Sequence, residues 1–324
     1  MLDARRYHFF DQRPDPDSAL PEVLAGLRAP QKTVSSKYFY DAEGSRLFEA
    51  ICELPEYYPT RAELALMQNH VDEIARHVPC GGSLLEFGSG SSRKTLMLIE
   101  AAAPACYCPV DISITALEHA AEALLARFGA LQVHAVAADF TRPIDLPEAL
   151  RRLSGERCAY FPGSTIGNLA PEQAVHFLGR FRNWLGPRGR FLVGIDLKKS
   201  PAVLHAAYND AQGLTARFNL NLLNNLNHRF GADFDAACFA HMAYYDADLG
   251  RVEMHLRARQ CQTVRVAGER IDFAEDETLR TEISCKYDPA EVADLAHAAG
   301  YELIESWFDP ERRFGLFALR PAVA

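Results

Sequence analysis

The stretch LLEFGSGSSRKT at residues 84–95 constrains the fold more than any other part of the chain. It begins with apolar residues typical of a buried strand, turns at Gly88 and Gly90, and continues as TLMLIE, which predicts a helix. Glycine permits a tight turn and lets a ligand approach the backbone, and a helix start offers unpaired N–H groups. The stretch therefore predicts a nucleotide-type binding corner, although ordinary helix-capping turns can also hold two glycines.

The residues after this turn indicate which ligand the corner binds. The dinucleotide fingerprint Gly-x-Gly-x-x-Gly is incomplete, because Arg93 stands at the third glycine position. S-adenosylmethionine carries no pyrophosphate and does not need that glycine. Asp111 ends the next predicted strand, 23 positions after Gly88, near the spacing of a ribose-binding acid. Asp139 and Phe140 follow a third strand, where a class I methyltransferase holds adenine, so the series favours S-adenosylmethionine over a nicotinamide or flavin.

Composition and net charge argue against several classes of binding partner. The 324 residues are 48% hydrophobic and 24% charged, which suits a globular protein of two domains or of one domain with a large insertion. The net charge of −9 and the lack of a basic run argue against nucleic acid and anionic membranes. The N-terminus lacks the apolar core of a signal peptide, so we expect a cytoplasmic protein. The scattered cysteines and histidines form no metal-binding spacing, and we expect free thiols and no metal.

Strands and helices alternate along the first part of the chain, which predicts an α/β sheet. We predict strands at residues 84–87, 105–111, 133–137, 158–161 and 190–196, and two final strands at 301–308 and 313–319. Seven strands with a last antiparallel pair indicate a Rossmann-like, class I S-adenosylmethionine-dependent methyltransferase fold. Asp288, Pro289 and Glu291 form a capping pattern that predicts a helix before the final pair.

The alternation also suggests the domain boundaries. Residues 1–60 are predicted to form an N-terminal arm and a helical cap, whose tyrosine clusters either pack the cap or form a lid. The methyltransferase domain is predicted at 61–196 plus 286–324, and an inserted α+β substrate-binding domain at 197–285. Within the insertion we predict three features: one helix over 201–226, a strand over 250–259, and partners of that strand at 264–266 and 271–273.

Several longer motifs carry a family resemblance. They are KYFYDAEGS at 37–45, LPEYYPTRAE at 54–63, LEFGSGSSRKT at 85–95, FPGSTIGNL at 161–169, AYND at 207–210, VEMHLRAR at 252–259 and LRTEISCKY at 279–287. From about residue 30 to 320 the chain resembles the histidine-specific Nα-methyltransferases of ergothioneine biosynthesis. The resemblance implies trimethylation of the α-amino group of L-histidine to hercynine, with S-adenosylmethionine as methyl donor. We expect a monomer that acts on this small molecule.

The resemblance also implies site residues. The implied cofactor contacts are Tyr40, Gly88, Lys94, Asp111, Asp139 and Phe140. The implied substrate contacts are Tyr57, Gly163, Asn168, Tyr208, Met254, Glu282 and Ser284. Family members hold the substrate carboxylate at the positions of Asn168 and Tyr208, and the imidazole at those of Glu282 and Ser284, while the backbone at Gly163 lies near the amine.

Elementary chemistry agrees with these implied roles. Glu282 and Ser284 are two residues apart, so on a strand both face one side, where a carboxylate and a hydroxyl can serve the two imidazole nitrogens. Tyr40, Tyr57 and Asn168 are the expected catalytic residues. Water, Tyr40 or Tyr57 would accept the amine proton, and aromatic rings tolerate the trimethylammonium product. Each of these side chains also has an ordinary structural role: Lys94, for example, would by default be a surface charge.

Three other functions remain compatible with the sequence. The chain could methylate the α-amine of another amino acid such as tryptophan, act as a nicotinamide-dependent oxidoreductase on a similar sheet, or bind histidine or the cofactor without catalysis. Glu282 and Ser284 favour histidine, because relatives acting on other amino acids are expected to change this pair. Arg93 at the third glycine position argues against the oxidoreductase.

Overall fold

The computed structural model describes residues 3–89, 93–152 and 156–322. Gly90, part of the predicted glycine turn, lies outside the described residues. The chain divides into two compact units. Unit 1 consists of Met1–Arg13, Pro59–Lys198 and Lys286–Ala324, and unit 2 of Pro14–Tyr58 and Lys199–Cys285.

Within the described residues the chain forms fourteen strands and eleven α-helices. The strands are β1 (Tyr7–Asp11), β2 (Lys32–Thr33), β3 (Ser83–Phe87), β4 (Cys106–Asp111), β5 (Gln132–Ala137), β6 (Arg157–Phe161), β7 (Arg190–Asp196), β8 (Phe239–Asp246), β9 (Arg251–Ala258), β10 (Gln262–Val266), β11 (Glu269–Phe273), β12 (Thr278–Cys285), β13 (Tyr301–Phe308) and β14 (Phe314–Pro321). The helices are α1 (Pro16–Arg28), α2 (Ala42–Cys52), α3 (Tyr58–Ala75), α4 (Arg93–Ala102), α5 (Ile114–Arg127), α6 (Glu148–Arg152), α7 (Pro171–Arg180), α8 (Arg182–Leu185), α9 (Pro201–Tyr208), α10 (Leu214–Phe230) and α11 (Pro289–Ala298). None of these helices combines the length and the hydropathy needed to cross a membrane.

Unit 1 is built on one sheet, with the strand order β1-β5-β4-β3-β6-β7-β14-β13 among the described residues. The first six strands in that order pair in parallel, whereas β14 runs antiparallel to both β7 and β13. The seven predicted strands and their final antiparallel pair are therefore confirmed. β1 is an addition: the sequence analysis placed these residues in an arm, but they form a parallel edge strand beside β5.

Burial explains why this sheet forms. All five residues of β3 are buried, as expected for a parallel strand covered on both faces. Phenylalanines of the strands pack against Phe177 of α7 and against Phe181, which follows that helix: the ring centroids of Phe87 and Phe181 are 4.6 Å apart, and those of Phe161 and Phe177 are 4.8 Å apart. The predicted cap of α11 is also confirmed, because Asp288 accepts hydrogen bonds from the backbone of Ala290 and Glu291.

Unit 2 contains a four-stranded sheet and a separate hairpin. The sheet has the order β2-β12-β9-β8, and β9 runs antiparallel to both of its neighbours. The predicted partners of the 250–259 strand are wrong, because β10 and β11, which contain residues 264–266 and 271–273, pair with each other. The physical reason is the two-residue connection Ala267-Gly268, whose positive φ angles of 48° and 84° suit a tight hairpin.

The predicted single helix over 201–226 is also wrong, because the structure has α9 and α10 there. The chain leaves α9 at Tyr208, and Gly213 adopts a positive φ of 68° just before α10. Asp210 then accepts hydrogen bonds from the backbone nitrogens of Leu214 at 2.9 Å and Thr215 at 2.7 Å. This side chain satisfies the first N–H groups of a new helix, so the helical pattern restarts rather than continues.

Candidate active site

The strand order of unit 1 reverses at β3, whose neighbours are β4 on one side and β6 on the other. In open α/β sheets, ligands bind outside the carboxyl ends of the strands at such a switch point. Gly88 follows β3, Asp111 ends β4, and Gly163 comes two residues after β6. Three residues selected from the sequence therefore lie at the strand ends of this switch point.

The first two residues of the turn after β3 are a glycine with positive φ and a serine whose hydroxyl is unpaired within the part of the chain that the structure describes. Gly88 has a φ of +71°, a conformation that glycine adopts without strain. Its nitrogen donates to the carbonyl of Val110 at 2.9 Å, and a Cβ built on it would lie 3.8 Å from Thr165 Oγ1. The Oγ of Ser89 is buried without a hydrogen-bond partner among the described residues. The Ser89 hydroxyl is therefore a polar group that a ligand would satisfy.

The acids at the next two strand ends are held by their own turns. Asp111 Oδ1 accepts from the nitrogen of Ser113 at 2.9 Å, and Ser113 caps α5. Asp139 is buried and accepts from the nitrogen of Thr141 at 3.0 Å. The carbonyl of the next residue, Phe140, accepts from Arg180 at 2.7 Å. These bonds fix the directions of both carboxylates at the edge of the sheet.

Lys94 and Gly163 meet at a residue that the sequence analysis missed. Glu63 of α3 is fully buried, and its Oε2 accepts a hydrogen bond from Lys94 Nζ. Its two oxygens also accept from the nitrogen of Gly163, at 3.1 and 3.0 Å. Glu63 lies in the LPEYYPTRAE motif, but nothing in its spacing separates it from the exposed acids of an amphipathic helix.

The turn after β6 combines unusual backbone with a buried ion pair. Gly163 and Ser164 both have positive φ, 73° and 58°, and a 3₁₀ helix then runs over Thr165–Asn168. Ser164 Oγ accepts from the nitrogen of Asp196 at 2.9 Å. Asp196 in turn pairs with Lys286 at 2.8 Å, and both side chains are almost completely buried. The end of β7 therefore holds the segment that carries Gly163 and Asn168.

In unit 2 an aromatic cluster surrounds two of the selected tyrosines. The ring of Phe48 lies 5.8 Å from that of Tyr40 and 6.1 Å from that of Tyr57, and Phe218 lies 6.0 Å from Tyr40. Burial raises the pKa of the Tyr57 hydroxyl well above its usual value, and the nearby Tyr208, Cys52, Tyr40 and Glu282 raise it further. The structure thus brings Tyr40, Tyr57, Tyr208 and Glu282 into one neighbourhood.

Three of the remaining residues selected from the sequence lie on one face of the unit 2 sheet. A register shift between Arg280 and Glu282 places Glu282 opposite Met254 and Ser284 opposite Val252. Because side chains alternate along a strand, Met254, Glu282 and Ser284 share one face. Tyr208 is tied to the same sheet, since its carbonyl lies 2.9 Å from Nε2 of His241.

Residues of opposite parity on β9 form a separate cluster on the other face of the sheet. Glu253 lies 2.8 Å from Nε2 of His255 and pairs with Arg251. Burial raises the pKa of Glu253, but hydrogen bonds from His255 and Arg251 outweigh it, and the net shift is downward. The charged residues of the VEMHLRAR motif are therefore on the face opposite Glu282 and Ser284.

Three buried asparagines of α10 are further residues that the sequence analysis missed. Asn221 donates to Asp41 at 2.8 Å and Asn225 to the carbonyl of Tyr38 at 2.6 Å, so both hold the segment around Tyr40. Asn219 donates to the carbonyl of His255 and accepts from the hydroxyl of Thr281, each within 2.9 Å. The signal was present as asparagine-rich composition, because asparagine is buried only where its amide is satisfied.

Among the described residues, no group of three or more His, Cys, Asp or Glu side chains is arranged to hold a metal ion. The sheet order, the turn after β3 and the acids at the ends of β4 and β5 define unit 1 as a class I S-adenosylmethionine-dependent methyltransferase domain.

Comparison with known proteins narrows this class. Residues 19–321 match the family model described as histidine-specific, S-adenosylmethionine-dependent methyltransferase. The chain is 41% identical to a histidine N-alpha-methyltransferase of Mycolicibacterium smegmatis over 91% of this chain and 92% of the relative. It is 38% identical to a histidine N-alpha-methyltransferase of Mycobacterium tuberculosis with the same coverage. The chain therefore belongs to the family of histidine-specific, S-adenosylmethionine-dependent methyltransferases.

A solved structure is similar in fold. The PH0226 protein from Pyrococcus horikoshii OT3 superposes with a TM-score of 0.51 at 14% identity, over 87% of this chain and all of that one. At this identity the likeness concerns the fold alone.

Proposed function

We propose that the chain transfers three methyl groups in turn from S-adenosylmethionine to the α-amino nitrogen of L-histidine, forming hercynine, the first step of ergothioneine biosynthesis. The observation that carries this proposal is the 41% identity to a histidine N-alpha-methyltransferase along nearly the full length of both proteins. The presence of Glu282 and Ser284 on one face of β12 supports histidine as the amino acid.

The carboxyl edge of the unit 1 sheet is our proposed place for the cofactor. The backbone at Gly88 and the unpaired Ser89 hydroxyl suit a polar ligand. Asp111 would accept from the ribose hydroxyls, and Asp139, with Phe140 beside it, would accept from the adenine amine. Tyr40 and Lys94 are further proposed contacts, with Lys94 facing the methionyl carboxylate. When bound, S-adenosylmethionine supplies an electrophilic methyl group on a sulfonium.

The proposed substrate contacts divide the histidine molecule into three parts. Glu282 accepts from one ring N–H and Ser284 serves the other ring nitrogen, while Met254 lines the same face. Asn168 and Tyr208 hold the carboxylate. Gly163 lies near the amine, and because its own N–H donates to Glu63, we assign its carbonyl oxygen as the acceptor.

Methyl transfer requires a neutral amine held in line with the methyl group. Orientation of this kind lowers barriers by about 7–11 kcal/mol in well-aligned systems. Tyr57, whose pKa burial raises, would act as a neutral phenol rather than as a base. The proton then passes to water or to Tyr40. The rings of Tyr40, Tyr57 and Phe48 offer faces to the growing positive charge of the methylated amine.

We also propose that the protein is a monomer of the cytoplasm. All eight cysteines are free thiols, and burial raises the pKa of the Cys108 thiol well above its usual value, so this thiol stays protonated. Size-exclusion chromatography coupled to light scattering tests the monomer, for which a mass of 36.0 kDa is expected.

Mass spectrometry tests the function. The purified protein is incubated with methyl-deuterated S-adenosylmethionine and an equimolar pool of the twenty amino acids. We expect one, two and three labelled methyl groups on histidine, with the trimethyl form accumulating. Labelling of tryptophan or another amino acid instead would show that histidine is not the substrate. Binding of cofactor and histidine without labelling of any amino acid would show that the protein does not catalyse methyl transfer.

A further inference from the structure

We propose that Glu63 is a positioning residue that holds both the cofactor-facing Lys94 and the amine-facing Gly163 of this enzyme. The inference rests on the proposed function, which gives Lys94 and Gly163 their roles. Glu63 itself contacts neither substrate in this account and acts through its two partners.

The geometry makes Glu63 the only link among the described residues that joins these two partners directly. Its Oε2 accepts from Lys94 Nζ, while the nitrogen of Gly163 points between the two carboxylate oxygens at 3.1 and 3.0 Å. Lys94 belongs to the first turn of α4, and Gly163 lies in the turn after β6. One carboxylate therefore sets the distance between two strand-end segments on opposite sides of the switch point.

Electrostatics explains why a carboxylate occupies this place. A fully buried carboxyl group is costly unless its oxygens are paired, and Lys94 and Gly163 supply an ion pair and a backbone hydrogen bond. A lysine in the first turn of a helix is itself opposed by the positive end of the helix dipole. The negative charge of Glu63 offsets that repulsion, so the Lys94 side chain is held beside the glycine turn.

The sheet leaves room for this carboxylate. Gly194 of β7 faces it, and a Cβ built on Gly194 would lie 2.8 Å from Oε1 of Glu63 and 3.1 Å from the ring of Phe314. No side chain fits there without moving one of them. The backbone of β7 thus approaches Glu63 closely and restricts its oxygens to the positions seen.

The pairing with Gly163 has a chemical consequence. An amide N–H facing the substrate would compete with the amine for the same acceptors and would repel an ammonium. Because Glu63 takes up the N–H of Gly163, the carbonyl oxygen of Gly163 is the backbone polar atom that this residue has left for the substrate. A carbonyl accepts from the amine and leaves the nitrogen lone pair directed elsewhere.

The test is a double-mutant cycle with Glu63→Gln and Lys94→Met. The dissociation constant of S-adenosylhomocysteine is measured by calorimetry, so no turnover is needed. We expect Glu63→Gln to weaken binding roughly tenfold and the double variant to bind no more weakly than Lys94→Met alone, because coupled neighbours are not additive. Additive losses, or unchanged binding in Glu63→Gln, would overturn the inference.

Glu63→Asp and Glu253→Gln separate positioning from stability. The aspartate keeps the charge but packs worse, so we expect it to melt no higher than Glu63→Gln and yet to bind the ligand more tightly. Glu253→Gln removes another buried, paired carboxylate, in unit 2, and should lower the melting temperature without changing this dissociation constant. If affinity instead follows melting temperature across the variants, Glu63 is merely structural.

The same measurements keep the two proposals apart. A wild-type protein that binds S-adenosylhomocysteine but leaves histidine unmethylated contradicts the proposed function and not the role of Glu63 toward Lys94. A Glu63→Gln variant with wild-type binding and wild-type kcat and KM on histidine contradicts only the positioning role.

Discussion

At the scale of single residues, Ser164 combines two opposing local effects. Its positive φ of 58° strains a residue with a Cβ, by roughly 1–2 kcal/mol. Its hydroxyl accepts from the nitrogen of Asp196, and a buried donor left without a partner costs about 1–3 kcal/mol. The hydrogen bond therefore offsets the strain and keeps the Gly163 turn in place.

Substitution separates these two effects. Ser164→Ala keeps the strain and loses the hydrogen bond, so we expect it to lower the free energy of unfolding by about 1–3 kcal/mol. Ser164→Gly loses the same bond but relieves the strain, and should be about 1 kcal/mol more stable than the alanine variant. Urea unfolding measures both. Ala103→Gly, at an exposed residue with φ of 48°, is the control for strain alone and should be stabilising. If Ser164→Gly has no higher free energy of unfolding than Ser164→Ala, backbone strain at residue 164 has no effect on stability.

In the proposed function, the choice of histidine depends on Glu282. Glu282→Gln would replace the proposed charged acceptor of the imidazole N–H with a neutral one, a loss of about 1.5–3 kcal/mol. We expect kcat/KM for histidine to fall roughly 10- to 150-fold while cofactor affinity stays unchanged. Ile283→Val changes the neighbouring side chain on the other face of β12 and serves as the control. Equal effects of the two substitutions would remove Glu282 from the substrate site.

The sequence predicts where a side chain lies when that side chain ends a recognisable strand. It does not predict a contact between residues that are far apart in the sequence. The place of Asp111 at the end of β4 could be predicted, because an apolar strand pattern follows the glycine turn and ends at this residue. Glu63 was missed because its partners, Lys94 and Gly163, lie 31 and 100 positions further along the chain. Helical periodicity predicts which face of α3 Glu63 occupies. It does not predict which distant backbone group packs against that face.

At the scale of elements, α10 stabilises unit 2 through its asparagines. Asn225→Ala removes the donor to the carbonyl of Tyr38, and we expect a loss of about 1–2 kcal/mol in the free energy of unfolding. Asn224→Ala, at the exposed neighbouring position, should be neutral or slightly stabilising, because alanine favours helices. Chemical unfolding of both variants checks the difference. Similar values would mean that helix propensity, rather than the buried amide, determines the effect.

The existence of elements was easier to predict than their partners. Period-two alternation located β9, but the same pattern is compatible with any neighbouring strand, and β8 and β12 rather than the hairpin strands pair with it. The break between α9 and α10 was missed because Gly213 and Asp210 each occur in ordinary helices, and only together do they restart one. β1 was missed because its pairing with β5 is set by tertiary contact rather than by local sequence.

At the scale of the whole molecule, the pH dependence of stability reflects a buried acid of unit 1. Glu86 accepts from the hydroxyls of Thr95 and Tyr107, and burial raises its pKa from 4.5 to about 7, against the lowering effect of these bonds. As pH rises from about 4.5 to about 7, the unfolded chain releases this proton while the folded chain keeps it. The unfolded state therefore binds fewer protons, and stability falls.

Glu86→Gln removes this titration. Relative to the wild type, we expect the variant to gain up to about 3 kcal/mol in free energy of unfolding between pH 4.5 and 7.5. Urea unfolding at several pH values measures the difference. Glu100→Gln changes an exposed carboxyl of α4 and is the matched control for the substitution itself. A constant difference between Glu86→Gln and wild type would show that Glu86 ionises equally in both states.

The position of β14 has a consequence for synthesis and truncation. β14 follows β13 in the chain, yet it lies inside the sheet, between β7 and β13. Synthesis therefore delivers β13 first, and β13 has no sheet neighbour among the described strands until β14 arrives. A premature stop shortly before Phe314 would remove the strand that attaches β13 to the sheet, so the loss of β14 would cost two strands rather than one.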